Sequence, residues 1–277
     1  VYAATHVQVA LLAATLLTTT LAAAFRTGRT GRQRDAITTG CALAGLVLTD
    51  PILALVAPAA AWAVVLGRGW RGAFGLLVAT GLTAVLGVTP WTVRNAAVHG
   101  EFVLIKSTFG YAFWQGNCAL SAGTDKVVRD SVDRALDRPD SGLRGLNASL
   151  WAARHEAGYI DDIALMTADY RSLAKVSEPE RSRILFCRAL GELRNERGRY
   201  LRLCWRRLRY FVLFDETNPK TRNLVYRASH LGLTLLAAAG LVLAPRALRW
   251  RLGPSLLTAG LVALFHTLTI VSARFHI

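Results

Sequence analysis

Residues 72–93 read GAFGLLVATGLTAVLGVTPWTV, and this stretch decides the fold class of the chain. As an α-helix it is long enough to cross a hydrocarbon core about 30 Å thick, and it contains no charged side chain. Three further stretches are apolar over a similar length, at 7–25, 226–244 and 253–271. Their length and composition predict an all-α integral membrane protein.

Two shorter apolar stretches, 36–48 and 52–66, are separated by Asp50-Pro51. Each is too short to cross a bilayer comfortably, so together they predict a bent pair of short helices with Asp50-Pro51 at the apex. Asp50 is an ionisable residue within apolar sequence, which makes it a candidate catalytic carboxylate. The alternative is that Asp50 only caps a helix at the break.

The composition of the chain agrees with a membrane protein. Of 277 residues, 53% are hydrophobic and 18% are charged, whereas a soluble domain carries about a quarter charged residues. The net charge is +15, which indicates contact with anionic lipid or lipid phosphate. No zinc spacing, helix-turn-helix pattern or aromatic ribonucleoprotein motif accompanies this charge. We therefore expect membrane lipid, and no nucleic acid, as a partner.

The short loops between the apolar stretches predict the topology. Three of them are rich in arginine, namely RTGRTGRQR, GRGWRG and PRALRWR. The positive-inside rule makes such loops cytoplasmic, and the successive stretches satisfy all three loops at once. Residues 1–94 and 223–277 then form the transmembrane part of a multi-pass protein of the inner (plasma) membrane. Residues 95–222 lie on the extracytoplasmic side.

Within the extracytoplasmic region, residues 196–213 predict an amphipathic helix. One face carries Arg199, Arg202, Arg206 and Arg209, and the other carries Leu201, Cys204, Trp205, Leu208, Phe211 and Val212. This helical spacing favours a helix in the headgroup plane, with its arginines reaching phosphate. The alternative is an ordinary surface helix with a solvated basic face.

The rest of the extracytoplasmic region is predicted to be mainly helical. Residues 151–170 and 178–197 read as helices, and Ser177 before Glu-Pro-Glu is a good N-cap. Cys118 and Cys187 both lie in this region, either as a disulfide or as two free thiols. No C-x-x-C pair occurs in the chain, so we expect no metal site.

The segment after residue 88 is the densest cluster of candidate binding residues. Residues 89–117 read TPWTVRNAAVHGEFVLIKSTFGYAFWQGN. Arg94 is placed at the outer membrane interface, where a guanidinium can pair with phosphate through two hydrogen bonds. Gln115 and Asn117, among aromatic rings, suit a surface for a sugar or a lipid headgroup. The alternative is a packed segment that covers the membrane domain.

This segment resembles the pattern of bacterial membrane glycosyltransferases of family 39, relatives of the protein mannosyltransferases and the aminoarabinose–lipid A transferases. In that family, a span ends in Pro-Trp-x-x-Arg-Asn and is followed by Gly-x-Phe-Val and Gly-x-x-Phe-Trp-x-Gly-Asn. Three further blocks are similar, at 41–51, 196–203 and 273–277. They match a short helix ending in Thr-x-Pro, an arginine-rich interfacial helix and the start of a final Arg-Tyr-Arg-x-Pro element.

The resemblance implies a GT-C fold and transfer of a hexose or pentose from a polyprenyl-phosphate donor to an extracytoplasmic glycan, lipid or protein. The polyprenyl-phosphate sugar is the donor substrate, and the sequence identifies no cofactor. Family members carry their acidic residues mainly in the first external loop, which this sequence does not contain. We therefore expect the catalytic base outside this chain, as part of a longer protein. The residues expected to serve the donor phosphate and the sugar are Arg274, Arg94, Arg202, Arg206, Asn117 and Gln115.

A non-catalytic membrane protein, either a lipid-binding scaffold or a transporter subunit, is the alternative from another functional class. A transporter should show intramembrane charged pairs or broken helices repeated in two halves. Apart from Asp50, the apolar stretches lack such charges, and no twofold repeat is visible. A scaffold has no need for a Trp-Gln-Gly-Asn cluster beside interfacial arginines.

Overall fold

The computed structural model describes residues 9–119, 121–124, 172–214 and 223–271, and these residues are helical apart from their connections and one isolated bridge between Thr124 and Val271. The expectation of an all-α chain is confirmed for this part. The predicted helix at 151–170 and the candidate Arg274 lie outside the described residues. In chain order the elements are α1 (Val9–Thr30), α2 (Gln33–Thr49), a 3₁₀ helix (Pro51–Val56), α3 (Ala57–His99), α4 (Phe109–Asn117), α5 (Glu178–Asn195), α6 (Arg197–Val212), α7 (Leu224–Leu243) and α8 (Arg246–Leu268).

The chain divides into two compact units, the first made of residues 1–106 and 233–265, the second of 107–232 and 266–277. In the first unit, α1, α2 and α3 pack against one another around small side chains. The buried cluster at their centre consists of Ala24, Ala36, Ala60, Ala63, Val64, Ala73 and Leu76. Alanine at these positions lets the helix backbones approach closely, which is how membrane helices gain van der Waals contact without a hydrophobic driving force.

Glycines bring the helices of this bundle into backbone contact. A Cβ placed on Gly67 of α3 would lie 2.5 Å from the carbonyl carbon and oxygen of Gly28 on α1. On Gly40 of α2, a Cβ would lie 2.6 Å from the carbonyl oxygen of Thr80 on α3. A buried hydrogen bond of 3.0 Å joins the hydroxyls of Thr27 and Thr39 across α1 and α2. The close approaches therefore require glycine, which is also frequent at the interfaces of membrane helices in general.

Large apolar side chains cover the outside of this unit, in contrast to its small-residue interior. Phe74, Leu82, Val85 and Leu86 of α3 are all at least 60% exposed. Exposing such a large apolar surface is unfavourable in water but favourable in contact with lipid. Three described helical stretches are long and apolar enough to cross a membrane: Leu11–Thr30, Pro51–His99 and Leu224–Leu243.

The short helices differ in detail from the sequence expectation. At the predicted bend, Asp50 has an extended backbone and its Oδ1 accepts a hydrogen bond of 3.2 Å from the Ile52 N–H, so it caps the 3₁₀ helix that begins at Pro51. The predicted spans 52–66 and 72–93 are parts of α3, interrupted at Gly69 by φ 67° and ψ 168°. Glycine allows this φ at little cost. α3 also continues through Pro90 to His99, beyond the predicted end.

The last predicted span, 253–271, corresponds to α8 but with shifted bounds. α8 begins at Arg246 and ends at Leu268, so its first turns carry Arg246, Arg249 and Arg251. It is not among the described helices that meet the length and composition of a membrane span. In the first unit, Trp250 of α8 packs edge-on against Trp62 of α3 with ring centroids 6.1 Å apart.

The second unit is built around α4 and α5. Their shared core contains Phe113, Trp114, Cys118, Leu173, Leu185, Ala189 and Leu193. The N-cap expected at Ser177 is confirmed, because its hydroxyl accepts a hydrogen bond of 3.3 Å from the Glu180 N–H. Gly110 of α4 donates its N–H to the Ser182 hydroxyl at 2.9 Å, and a Cβ there would collide with the Ser182 backbone. α4 and α5 therefore meet at a position that only glycine can occupy.

Candidate functional site

The Trp-x-x-Arg-Asn block lies at the end of α3 in the first unit, where it holds the following chain against the helix. Trp91, Thr92 and Asn95 lie on one side of the helix and donate hydrogen bonds to the chain that follows it. The Asn95 amide reaches the Ile105 carbonyl at 2.9 Å, the Trp91 indole reaches the same oxygen at 3.3 Å, and the Thr92 hydroxyl reaches Leu104 at 2.9 Å. The block therefore folds the chain back onto its own helix.

Arg94 lies beside Trp91 and Asn95 of this block and is exposed. Its guanidinium lies 4.8 Å from the centroid of the Trp91 ring and donates to the Asn95 side-chain oxygen at 3.3 Å. The cation–π contact fixes the direction of the guanidinium while leaving donors for an anion. This geometry is compatible with the predicted phosphate contact, which stays a prediction.

The predicted amphipathic helix forms α6, and its residues divide among three faces. One face packs against the rest of the second unit, and its residues Leu203, Arg207 and Tyr210 are buried. An exposed apolar stripe carries Leu201, Trp205, Leu208 and Val212. Arg202, Arg206 and Arg209 are exposed between these two faces. A helix of this kind can immerse its apolar stripe in a membrane interface while the arginines reach headgroup phosphates.

Arg199 was expected on the same face as these arginines, but it turns toward the C-terminus of α4. Its Nη1 donates to the Cys118 carbonyl at 2.9 Å and its Nη2 to the Asn117 carbonyl at 3.0 Å. It also pairs with Glu196 at 3.0 Å and Glu192 at 3.7 Å. The last carbonyls of a helix have no partner within it and carry partial negative charge, which is why they attract this guanidinium.

Arg207 is fully buried, a position that the sequence analysis missed. It donates to the carbonyls of Gly123 at 3.2 Å and Thr267 at 3.3 Å, to the Asn117 side-chain oxygen at 2.8 Å, and to the Gly116 carbonyl. Burial lowers the pKa of Arg207 to about 10, so the group stays protonated at neutral pH. We call Arg199, Arg207 and Asn117, with the carbonyls that they bind, the arginine clamp.

Asn117 is the amide at the centre of the arginine clamp. Its side chain is fully buried and donates to the carbonyls of Phe113 at 2.8 Å and Thr269 at 3.1 Å. The neighbouring Gly116 leaves no space for a side chain, because a Cβ there would lie 2.4 Å from the Thr269 carbonyl oxygen. The Gln-Gly-Asn sequence therefore joins α4 to the C-terminal end of α8. Gln115 is half-buried beside it.

The aromatic residues before this sequence are packed within the unit. Phe113 and Trp114 are 8% and 4% exposed, and the Phe113 ring lies 5.0 Å from that of Phe186 on α5. For these two rings the structure therefore favours the packed segment over a sugar-binding surface. Phe109 stays about half exposed.

Glu192 is a partly buried carboxylate that lies 3.7 Å from Arg199 of the arginine clamp. Burial raises its pKa, and this effect outweighs the nearby Arg199 guanidinium and a hydrogen bond from the Ala119 backbone. Glu192 lies on α5 and Arg199 on α6, so no residue spacing within a single helix predicts that the two side chains pair. A carboxyl with a raised pKa beside an arginine can exchange a proton closer to neutral pH than an exposed glutamate.

The predicted site residues do not all lie in one unit. Arg94 belongs to the first unit, whereas Asn117, Gln115, Arg202 and Arg206 belong to the second. Within the described residues, no group of three or more His, Cys, Asp or Glu side chains could hold a metal ion. Both Cys118, which is buried, and Cys187, which is exposed, are free thiols.

Comparison with known proteins gives no relatives for this chain: no family model, no curated protein and no solved structure matches it.

Proposed function

We propose that this chain is part of a membrane glycosyltransferase of the GT-C type, which moves a sugar from a polyprenyl-phosphate donor to an extracytoplasmic acceptor. One observation carries the proposal. Two blocks that resemble the family separately, 89–117 and 196–203, contact each other directly through the hydrogen bonds of Arg199 to the carbonyls of Asn117 and Cys118. A chance resemblance at two distant places in the sequence would give no reason for them to meet.

The geometry of α6 suits the amphiphilic donor. Arg202 and Arg206 are exposed beside the apolar stripe of Leu201 and Trp205, which are each 69% exposed. A polyprenyl phosphate has its charge at headgroup depth and its chain in the hydrocarbon, so one helix face can bind both parts. The arginine clamp fixes the rotation of α6 about its axis and therefore the side of the helix from which the exposed Arg202 and Arg206 project.

In the proposed reaction an acceptor hydroxyl attacks the anomeric carbon while the bond from that carbon to the phosphate oxygen breaks. The polyprenyl phosphate leaves with the bonding electrons, and the hydroxyl proton passes to a carboxylate base. Positively charged donors stabilise the phosphate as its charge develops. We assign this role to Arg202 and Arg206 in the second unit; Arg94 of the first unit and Arg274 are separate predictions of a phosphate contact.

A lipid-binding scaffold remains the second candidate, favoured by the burial of Phe113 and Trp114. With these rings packed in the core, the segment offers less surface to a sugar than its composition predicts. A scaffold would use α6 for contact with anionic lipid and would not distinguish a lipid-linked sugar from other phosphate lipids.

Binding of a short-chain polyprenyl-phosphate sugar to the detergent-solubilised protein tests the proposal. Loss of a charge-assisted hydrogen bond costs about 1.5–3 kcal/mol, so we expect Arg202→Gln and Arg206→Gln each to weaken binding about tenfold or more. Arg194→Gln, an exposed arginine on α5, is the matched control. Arg94→Ala and Arg274→Ala test the remaining phosphate ligands. Equal affinity for the same lipid phosphate without its sugar would favour the scaffold.

A further inference from the structure

A groove between α1 and α2 in the first unit has two chemically different ends. Its volume is about 700 Å³. One end is lined by Arg26, Arg29, Arg34 and Asp35, near the turn that connects the two helices. The other end follows α1 back along the stretch that is apolar enough to cross a membrane, where the wall is made of Thr18, Thr19, Ala22 and Ala23.

The charged end carries more positive than negative charge. Asp35 is the one carboxylate among the lining residues, against three guanidinium groups. It accepts a hydrogen bond of 2.6 Å from the Thr30 hydroxyl and pairs with Arg26 at 3.1 Å. The Thr30 hydrogen bond, together with the nearby arginines, holds the pKa of Asp35 below its usual range, although burial opposes this. Arg29 and Arg34 remain as the excess charge, which favours an anionic ligand with several acceptor oxygens.

The threonine end is apolar in spite of its hydroxyl groups. The Thr18 hydroxyl donates to the Ala14 carbonyl at 2.9 Å, and the Thr19 hydroxyl donates to the Thr15 carbonyl at 2.8 Å. Because both donors are used within α1, the groove wall is formed by threonine methyl groups and by Ala22 and Ala23. Such a wall offers dispersion contacts to a hydrocarbon chain and little to a soluble anion.

We propose that this groove binds an anionic phospholipid, with the headgroup phosphate on Arg29 and Arg34 and an acyl chain along the Thr18–Ala23 wall. Arg29 lies at the end of a helix that is long enough to span a membrane, and Arg34 lies in the first turn of the next helix. This is the depth of the phosphate groups of a bilayer leaflet. A soluble phosphate would match the charged end alone. A zwitterionic lipid would match the apolar end but would bring its own cation to the arginines. The site is independent of the proposed sugar transfer, since none of its residues is among those assigned to the sugar donor.

Photo-crosslinking tests this assignment on the full 277-residue protein in detergent. The probe is phosphatidylglycerol with a photoreactive group in one acyl chain, and labelled peptides are mapped by mass spectrometry. We expect labelling within 9–49, and we expect unlabelled phosphatidylglycerol to compete with it. Phosphatidylcholine or glycerol 3-phosphate at the same concentration should compete at least about tenfold less well. The first lacks a net negative charge, and the second lacks an acyl chain.

The double variant Arg29→Gln/Arg34→Gln should reduce this labelling about tenfold or more. Its matched control is Arg246→Gln/Arg249→Gln, which removes the same charge from exposed positions of α8 in the first unit. Equal loss in both variants would reduce the effect to general surface charge and overturn the proposal. Equally effective competition by glycerol 3-phosphate would overturn the lipid assignment.

A steric variant keeps the test decisive if the charge variant is poorly folded. Ala22 is exposed on the groove wall, so Ala22→Leu fills the acyl-chain end without changing charge or the helix core. We expect this variant to keep its thermal unfolding temperature and to lose labelling within 9–49. Unchanged labelling in a folded Ala22→Leu protein would show that no chain lies in the groove, and the proposal would fail.

Discussion

Replacing Arg207 by leucine tests whether the arginine clamp holds the second unit together. The side chain is fully buried and donates to four acceptors on three separate segments of the chain. Leucine has similar apolar bulk but no donor. The substitution therefore removes the hydrogen bonds without opening a large cavity.

The expected loss of stability follows from the acceptors that are left behind. Gly123 O keeps a backbone N–H donor at 3.2 Å, whereas Gly116 O, Asn117 Oδ1 and Thr267 O each lose the Arg207 donor. An unsatisfied buried acceptor costs about 1–3 kcal/mol. The three losses are coupled, so they do not simply add, and leucine also relieves the burial of a charge. We expect a net loss of about 3 kcal/mol, a large part of a total stability of about 5–15 kcal/mol.

Thermal unfolding of the purified protein in detergent, followed by tryptophan fluorescence, measures this loss. Trp114 belongs to the core of the second unit and contributes to this signal together with the six other tryptophans of the chain. Arg206→Leu is the matched control, because it removes an exposed arginine one position away and should change stability by less than about 0.5 kcal/mol. The loss of stability in Arg207→Lys should lie between those of the other two variants, since an ammonium keeps the charge but not the planar arrangement of donors. If Arg207→Leu were no more destabilising than Arg206→Leu, the buried clamp would be refuted.

Three further outcomes are expected. Gly67→Ala should destabilise the first unit, because its Cβ would lie 2.5 Å from backbone atoms of Gly28. At Gly75 a Cβ meets open space, so Gly75→Ala should be neutral or stabilising. The unfolding temperatures of the two variants test this difference. Asn95→Ala leaves the Ile105 carbonyl with a weaker partner and should cost about 1–2 kcal/mol, with more rapid proteolysis after α3 as the readout. Glu192→Gln should stabilise the protein more at pH 7.5 than at pH 5. The raised pKa means that ionising Glu192 lowers stability as pH rises above its ordinary value of 4.5, and a pH-independent difference between the two proteins would contradict this.

The helices of the first unit were predictable because membrane length and hydropathy dominate their sequence. Residues 11–25 of the stretch predicted at 7–25, and all of 72–93, lie within described helices that could cross a membrane. What the sequence did not indicate is how 52–66 and 72–93 are joined. GRGWRG was read as a loop, but Gly69 alone absorbs the change of direction, and α-helix continues on both sides of it. Single-residue interruptions leave no trace in a hydropathy window.

The candidate binding residues were predicted less completely than the helices. Arg94, Arg202 and Arg206 are exposed as a phosphate ligand must be. Asn117 was selected as a sugar-binding amide, yet the hydrogen bonds recorded for its side chain are made to its own chain. A Gly-Asn pair after aromatic residues has the same composition whether it faces a ligand or caps a helix. Composition therefore identified the segment, and the contacts with α6 and α8 identified its structural task.

The arginines of α6 show which contacts can be predicted from helical spacing and which cannot. Arg202, Arg206, Arg207 and Arg209 occur within eight consecutive positions, so an amphipathic pattern places most of them on one polar face and predicts a common contact with phosphate. Arg207 departs from that face toward the interior, where an unpaired charge would be too costly. The cost is met by carbonyl oxygens at the C-terminal ends of α4 and α8, whose last turns present acceptors without helical partners. A buried arginine is therefore tolerated here because two helices end beside it. Since both helix ends are distant in sequence from α6, the hydrogen bonds of Arg207 join segments of the second unit that lie far apart along the chain.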